Sequence, residues 1–162
     1  MTATSYLVLG CLASIGPSTP YELKQVVAGG VGYFWSFPHS QLYSEPVRLA
    51  KAGLLTEHRE EGGRRRRRFS ITEAGRQELR QWLADPTSEL PDIRDVGLLK
   101  LFFGALADPD HITALAHNQR EAHQRRFDLY ASVNESDIPG PPGATLRFGL
   151  AYERAATTFW DS

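Results

Sequence analysis

Arg64 to Arg68 are five consecutive guanidinium side chains placed directly after Glu61-Gly62-Gly63. Water tolerates their mutual repulsion, but a polyanion that releases counterions when they bind explains such a cluster better. In an extended strand the five alternate, Arg66 and Arg68 to one side and Arg65 and Arg67 to the other, so the whole tip of the element carries charge. A solvated charge run partly offset by Glu57, Glu60 and Glu61 is the plainer alternative. Upstream, Ser40, Gln41, Tyr43, Ser44, Arg48 and Lys51 lie off the apolar face of a predicted helix. They are short hydroxyls, one amide and two cations, groups suited to base edges and phosphates. Lys24, on the preceding predicted helix, joins this candidate set. An ordinary solvated helix face competes with that reading for these residues alone, and the neighbouring arginine run shifts the weight.

Catalytic and metal chemistry find little support. The five histidines, His39, His58, His111, His117 and His123, include no i, i+4 pair and have no cysteine partners, so the usual zinc spacing is missing. His117 and His123 fall on different faces of one long predicted helix and are expected in solvent or at an interface. No G-x-S-x-G, P-loop or dinucleotide fingerprint is present. Cys11 sits in the apolar run Tyr6-Leu-Val-Leu-Gly-Cys-Leu without an evident base, which reads as a buried thiol in a reducing compartment. No enzyme, metal or cofactor is expected.

The elements that must position these groups follow from composition and pattern. The 162 residues, 41% of them hydrophobic, allow one ordinary domain or two small ones with a real core, and exclude disorder throughout. A net charge of −1 looks unpromising for a nucleic-acid partner, but residues 1–90 carry 11 basic and 9 acidic side chains against 7 and 10 in 91–162. The run from Tyr6 is far short of the ~18 residues that span a bilayer, and neither a basic stretch before it nor a cleavage site after it marks export. A cytoplasmic protein without a membrane partner is expected.

Tyr6, Leu7, Leu9, Leu12 and Ile15 crowd one side of a first helix, stopped by Gly16-Pro17. Thr19-Pro20-Tyr21-Glu22 matches a capping box with proline at the first helical position, for a second helix to about Ala28. Val31 to Pro38, with Tyr33, Phe34, Trp35 and Phe37, reads as an apolar connection packed on the core. From Ser40, Leu42, Pro46, Leu49 and Ala50 keep the period of one helical face, with Gly53 as a cap. Pro46 predicts either a bend or a start only one turn earlier. Leu55 to Glu61 and Arg65 to Ile71, joined through Gly62-Gly63, fit a β-hairpin. Thr72 then caps a fourth helix through Leu79, Trp82 and Leu83 that stops at Asp85-Pro86.

Pro86 and Pro91 mark a change of character. The boundary is placed there, between domains 1–88 and 89–162. A helix over 98–106 is apolar almost all round, and Asp108-Pro109 starts a long helix of about 25 residues with a polar lapse at Gln119. Residues 139–143 read as a loop, and Phe148, Tyr152, Ala155, Ala156 and Phe159 recur at helical spacing in the last element. One small chain gives these helices too little to pack on, so they call for a partner surface.

Three helices followed by a hairpin with a basic tip is the order of a winged helix-turn-helix, whose third helix enters the major groove while the hairpin follows the backbone or minor groove. The predicted class is mainly α with a small β-hairpin (α+β): an N-terminal winged helix-turn-helix DNA-binding domain and a C-terminal α-helical dimerisation region. A winged-helix protein-interaction module without specific DNA binding is the alternative.

The stretch Ser40-Gln-Leu-Tyr-Ser-Glu-Pro-Val-Arg-Leu-Ala-Lys-Ala-Gly-Leu-Leu, with Gly62-Gly-Arg-Arg-Arg-Arg-Arg-Phe-Ser-Ile-Thr-Glu-Ala-Gly-Arg after it, resembles the PadR family of bacterial transcriptional regulators. The family pattern falls on Ser40, Tyr43, Leu49, Gly53 and Leu54, and its wing-to-helix signature on Gly63, Arg64, Phe69, Thr72 and Ala74-Gly75. Pro46 and the density of arginines depart from it. The resemblance implies a homodimer, in agreement with the call for a partner surface, and hence a repressor on a pseudo-palindromic double-stranded operator. It also implies a small aromatic or lipophilic effector, for which Trp82, Phe102, Phe103 and Trp160 are the nominated contacts, although aromatics at helical spacing are more often core.

Overall fold

A computed structural model describes residues 1–35, 38–59 and 66–162, apart from the side chain of Tyr33. Helices α1 (Ala3–Ile15), α2 (Pro20–Ala28), α3 (Gln41–Lys51) and α4 (Glu73–Ala84) with strands β1 (Leu55–Arg59) and β2 (Arg67–Ile71) belong to one compact unit, Met1–Glu89. Helices α5 (Val96–Phe102), α6 (Pro109–Ala131) and α7 (Pro141–Trp160) belong to a second, Leu90–Ser162.

In the first unit α1 is central because α2, α3, α4 and β2 all pack on it, which is why its sequence is apolar almost all round. Its start lies ahead of the apolar run: the Thr2 hydroxyl accepts from the Ser5 amide while Ser5 Oγ accepts from the Thr2 amide. Val8, Leu9 and Leu12 of α1, Leu23 and Val27 of α2, Leu42 and Leu49 of α3, Leu55 of β1 and Phe69 of β2 close one core. Burying each such side chain contributes about 1.5–3 kcal/mol relative to exposure.

Helix α2 begins on the predicted capping box, the Glu22 amide donating to Thr19 Oγ1 at 3.3 Å and the Thr19 amide to Glu22 Oε2 at 2.7 Å. The connection after it departs from expectation. Val31 packs against the core, but Phe34 and Trp35 are 61% and 43% exposed, and Ser36 and Phe37 lie outside the described residues. A 3₁₀ turn over Val31–Tyr33 spends the short link on reversing the chain, which carries the following aromatics off the core.

Pro46 sits inside α3, five residues after its first, and is itself buried. The helix pays for the missing N–H with burial of the ring between Leu42 and Leu49.

Strands β1 and β2 pair antiparallel with Leu55 opposite Ile71, Glu57 opposite Phe69 and Arg59 opposite Arg67. Ser18 adds a bridge on the other edge of β2, exchanging two backbone hydrogen bonds with Phe69 at 2.9 and 3.0 Å. The residues joining the strands, 60–65, lie outside those described.

Thr72 caps α4 through the Gly75 amide at 3.1 Å. Gly75 rests on the carbonyl of Leu54, where an added Cβ would lie 2.3 Å from that oxygen and 2.9 Å from Ile71 Cγ1. Because the obstacle is backbone, Gly75→Ala should lower unfolding stability by about 1–3 kcal/mol, read as a reduced denaturation midpoint at unchanged slope.

The second unit is a long antiparallel pair. Tyr130 of α6 meets Gly149 of α7, His123 meets Glu153, and Arg120 meets Asp161 at 2.7 Å. Three expectations change here. The helix over 98–106 is α5 followed by a separate 3₁₀ turn at Gly104–Leu106, where Gly104 lies against Ile112 of α6. The proline-rich stretch 139–143 is not all loop: α7 starts at Pro141, since prolines are tolerated in a first turn whose amides have no helical acceptor. His123 is not solvated but pairs with buried Glu153, Nδ1 to Oε2 2.6 Å. Gln119, the polar lapse in α6, packs over Gly97 of α5.

Candidate nucleic-acid interface

Helix α3 presents three faces. Leu42, Pro46 and Leu49 are buried and lock it to the core. Ser40, Tyr43, Ser44 and Lys51, at i, i+3, i+4 and i+11, form an exposed stripe of hydroxyls and one cation. The third face turns to α1. Gln41 Oε1 accepts from Thr4 Oγ1 at 2.8 Å, and Arg48 is held by Glu45 (Nη2 to Oε1 2.6 Å, Nε to Oε2 3.0 Å) and by Ser5 Oγ (2.9 Å). Gln41 and Arg48, grouped in sequence with the reading residues, are therefore drawn toward α1, although half of the Arg48 side chain stays in solvent. Lys24 of α2 is half-buried and borders a shallow groove with Tyr21, Gln25, Ala28 and Gly29.

The arginine run divides as strand geometry requires. Arg64 and Arg65 lie outside the described residues, and Arg66 is exposed. Arg67 forks onto Glu57 (Nε to Oε1 2.7 Å, Nη2 to Oε2 2.6 Å) with its guanidinium 5.6 Å from the Phe69 ring centre. Arg68, on the opposite face, reaches Glu22 Oε1 at 3.0 Å and the Pro17 carbonyl at 2.9 Å. Glu22 thus closes the α2 capping box and anchors the strand, while Arg66 and Arg68 both lie in its field. Glu57 was legible in sequence only as a partial offset to the run. That it grips Arg67 in two bonds follows from the register, which places Glu57 beside Arg67 across the strands. Glu45 has a legible i, i+3 relation to Arg48, but no local signal marks Ser5 or Thr4 as its companions.

These contacts set the acid response. The Arg67 hydrogen bonds hold the Glu57 carboxyl at about 2, opposed by desolvation and helped by Arg59. Glu45 is lowered chiefly by Arg48, and Glu22 chiefly by the Thr19 amide. A carboxylate depressed in the folded state stabilises it above the unfolded value, and that contribution is lost as pH falls through the folded one. For Glu57 the window runs from about 4.5 down to about 2. The gap in Tm between the native chain and Glu57→Gln should be widest near neutral pH and close across that window in a series of thermal melts.

The four nominated aromatics do not form one cluster by their described contacts. Trp82 stacks on Tyr6 at 4.6 Å and 7° within the first unit. Trp160 is buried edge-on against Phe159. Phe102 is exposed and meets Phe103 edge-on. Only Phe103 of the four lines the open cleft of about 590 Å³ in the second unit, with Leu99, Leu106, Ile112 and Leu115 as apolar wall and Lys100, His111 and Asn118 as polar groups. Among the described residues, no three His, Cys, Asp or Glu side chains gather as metal ligands, and no helix is long and apolar enough to cross a membrane.

Comparison with known proteins bears on this arrangement. Residues 8–81 match the model of the transcriptional regulator PadR-like family, and residues 93–161 that of the virulence activator alpha C-terminal region. The negative transcriptional regulator PadR of Bacillus subtilis is 27% identical over 83% of this chain and 75% of its own length. "Probable transcriptional regulator Rv1176c" of Mycobacterium tuberculosis is 32% identical over 89% of this chain and 87% of its own. The crystal structure of B. subtilis PadR in complex with operator DNA shares the fold, with a TM-score of 0.86 at 22% identity over 99% of this chain and 96% of that one. Its complex with p-coumaric acid gives 0.81 at 22% over 99% and 95%. A winged-helix unit of mainly helical composition, followed by a helical unit, in a chain that matches regulators along most of its length, is the signature of one family, and this chain belongs to the PadR-like transcriptional regulators.

Proposed function

We propose that the chain is a repressor that binds a pseudo-palindromic operator as a homodimer, with residues 1–88 as the DNA-binding domain and 89–162 as the dimerisation domain. The observation that carries the reading is α3: its apolar face is wholly enclosed, while Ser40, Tyr43, Ser44 and Lys51 stand exposed in the same unit as the arginine strand. A helix so fixed is the rigid body that major-groove reading requires, and Arg66 with its neighbours Arg64 and Arg65 supplies the phosphate contacts. Two such units related by a two-fold axis suit half-sites about 34 Å apart or a multiple of that.

The second unit supports the dimer. Among its described residues only Tyr130 and Trp160 are buried large apolar side chains, while Phe102 and Leu106 are 81% and 87% exposed. A helical unit with so little enclosed surface gains its core from a second copy. The cleft of Leu99, Phe103 and Leu115 beside Lys100 and His111 suits a small aromatic acid, and such an acid was bound by B. subtilis PadR, which supports effector-relieved repression.

Selection of bound fragments from a random duplex pool, followed by mobility shifts across salt, tests the reading. Enrichment of an inverted repeat with affinity falling steeply with salt is expected. Absence of any enriched sequence, or affinity indifferent to ionic strength, would leave a protein-interaction module instead. Phenolic acids and planar cationic drugs, titrated against the complex, should weaken operator binding and shift Trp fluorescence if the effector reading holds.

A further inference from the structure

Resting on the DNA-reading role of α3, we propose that Ser5 and Glu45 are positioning residues that clamp the reading helix to α1, and that Arg48 serves this clamp instead of contacting DNA. Three side chains close a ring between the two helices. An ionised carboxylate only accepts, so the Ser5 hydroxyl gives its proton to Glu45 Oε1 at 2.5 Å. Its lone pairs take Arg48 Nη2 at 2.9 Å and the Thr2 amide at 3.0 Å, which wires the cap of α1 into the ring. Arg48 completes it with the forked pair onto Glu45. Ser5 is fully buried and the Glu45 side chain is 13% exposed, so these bonds face little competition from water.

A second anchor lies one turn away, where Thr4 donates to Gln41. Residues 41, 45 and 48 follow one face, and two anchors on it fix both rotation about the α3 axis and sliding along it. Helix α3 needs such bracing more than most, because Pro46 removes a backbone hydrogen bond inside it. Gln41 holds the turn before the proline and Arg48 the turn after it. Arg48 is therefore committed in two directions, which leaves the exposed stripe of Ser40, Tyr43, Ser44 and Lys51 to meet bases and phosphates.

The test uses the full chain, the duplex that it selects from a random pool, and a scrambled duplex of the same length. Ser5→Ala, Glu45→Gln and Arg48→Ala are compared with Lys51→Ala, with melting curves to confirm folding. If the clamp positions α3, the first three each cut the ratio of selected to scrambled affinity about ten-fold, as a displaced base contact would. Their salt dependence stays that of the native chain, and their α3 amides exchange faster than those of α2. Lys51→Ala should instead lower the salt slope by about 0.9, the signature of a lost phosphate contact. A slope reduced in Arg48→Ala, with the ratio intact in Ser5→Ala and Glu45→Gln, overturns the proposal while the DNA reading stands. If the native chain selects no sequence, the DNA reading fails, and the proposal with it.

Discussion

Alanine at all five positions Arg64 to Arg68 should lower affinity for the selected duplex by roughly three orders of magnitude or more at moderate salt, and flatten the salt dependence by about 0.9 for every phosphate contact removed. A dimer carries the run twice, so the loss is doubled on the complex. The single substitutions should not be equal. Arg66 is exposed, whereas Arg67 is forked onto Glu57 and Arg68 is tied to Glu22 and the Pro17 carbonyl. Arg66→Ala should therefore change the salt slope more than Arg67→Ala or Arg68→Ala. The latter two should lower thermal stability as well, because they leave Glu57 or Glu22 without its main cation. Fluorescence anisotropy at several salt concentrations, with melting curves on each variant, separates the two effects. Full affinity in the five-fold variant would remove the hairpin from the binding surface.

Aspartate at both Phe102 and Leu106 should convert the dimer to monomer and reduce operator affinity about a hundred-fold or more. Both side chains are more than four-fifths exposed in the single chain, so neither substitution opens a cavity in it. In a dimer the same change would bury carboxylates against an apolar surface, which costs several kcal/mol for each group. The first unit keeps its own core, from Val8 to Phe69, and should melt as an independent body. A monomer engages one half-site at a time and loses the effective concentration that tethers the second reading helix, which is where the affinity goes. Sedimentation equilibrium reads the mass and anisotropy the affinity. A variant that stays dimeric would place the partner surface elsewhere.

Local chemistry made much of this molecule legible. The Thr19-Pro20-Glu22 box, the Thr72 cap, the apolar period of Leu42, Pro46 and Leu49, and the antiparallel runs around the glycines all depend on contacts between residues close in sequence, and each appears as read. Readings that depended on the length of an apolar run were less secure. The stretch 98–106 breaks after Phe102 because Gly104 approaches Ile112 of the next helix, and Phe34 and Trp35 are exposed although their types suit a core.

The order of elements, the charged hairpin and the excess of apolar helix surface beyond residue 90 were set by residue types and their spacing, since propensity, capping and periodicity act over a few residues. Which cations remain available was decided only when the chain folded. Glu57 meets Arg67 across ten residues, Glu22 meets Arg68 across 46, and Ser5 meets Glu45 across 40. A charged group's role depends on the partner within a few ångströms of it, and in these cases the backbone brought that partner from a distant part of the chain.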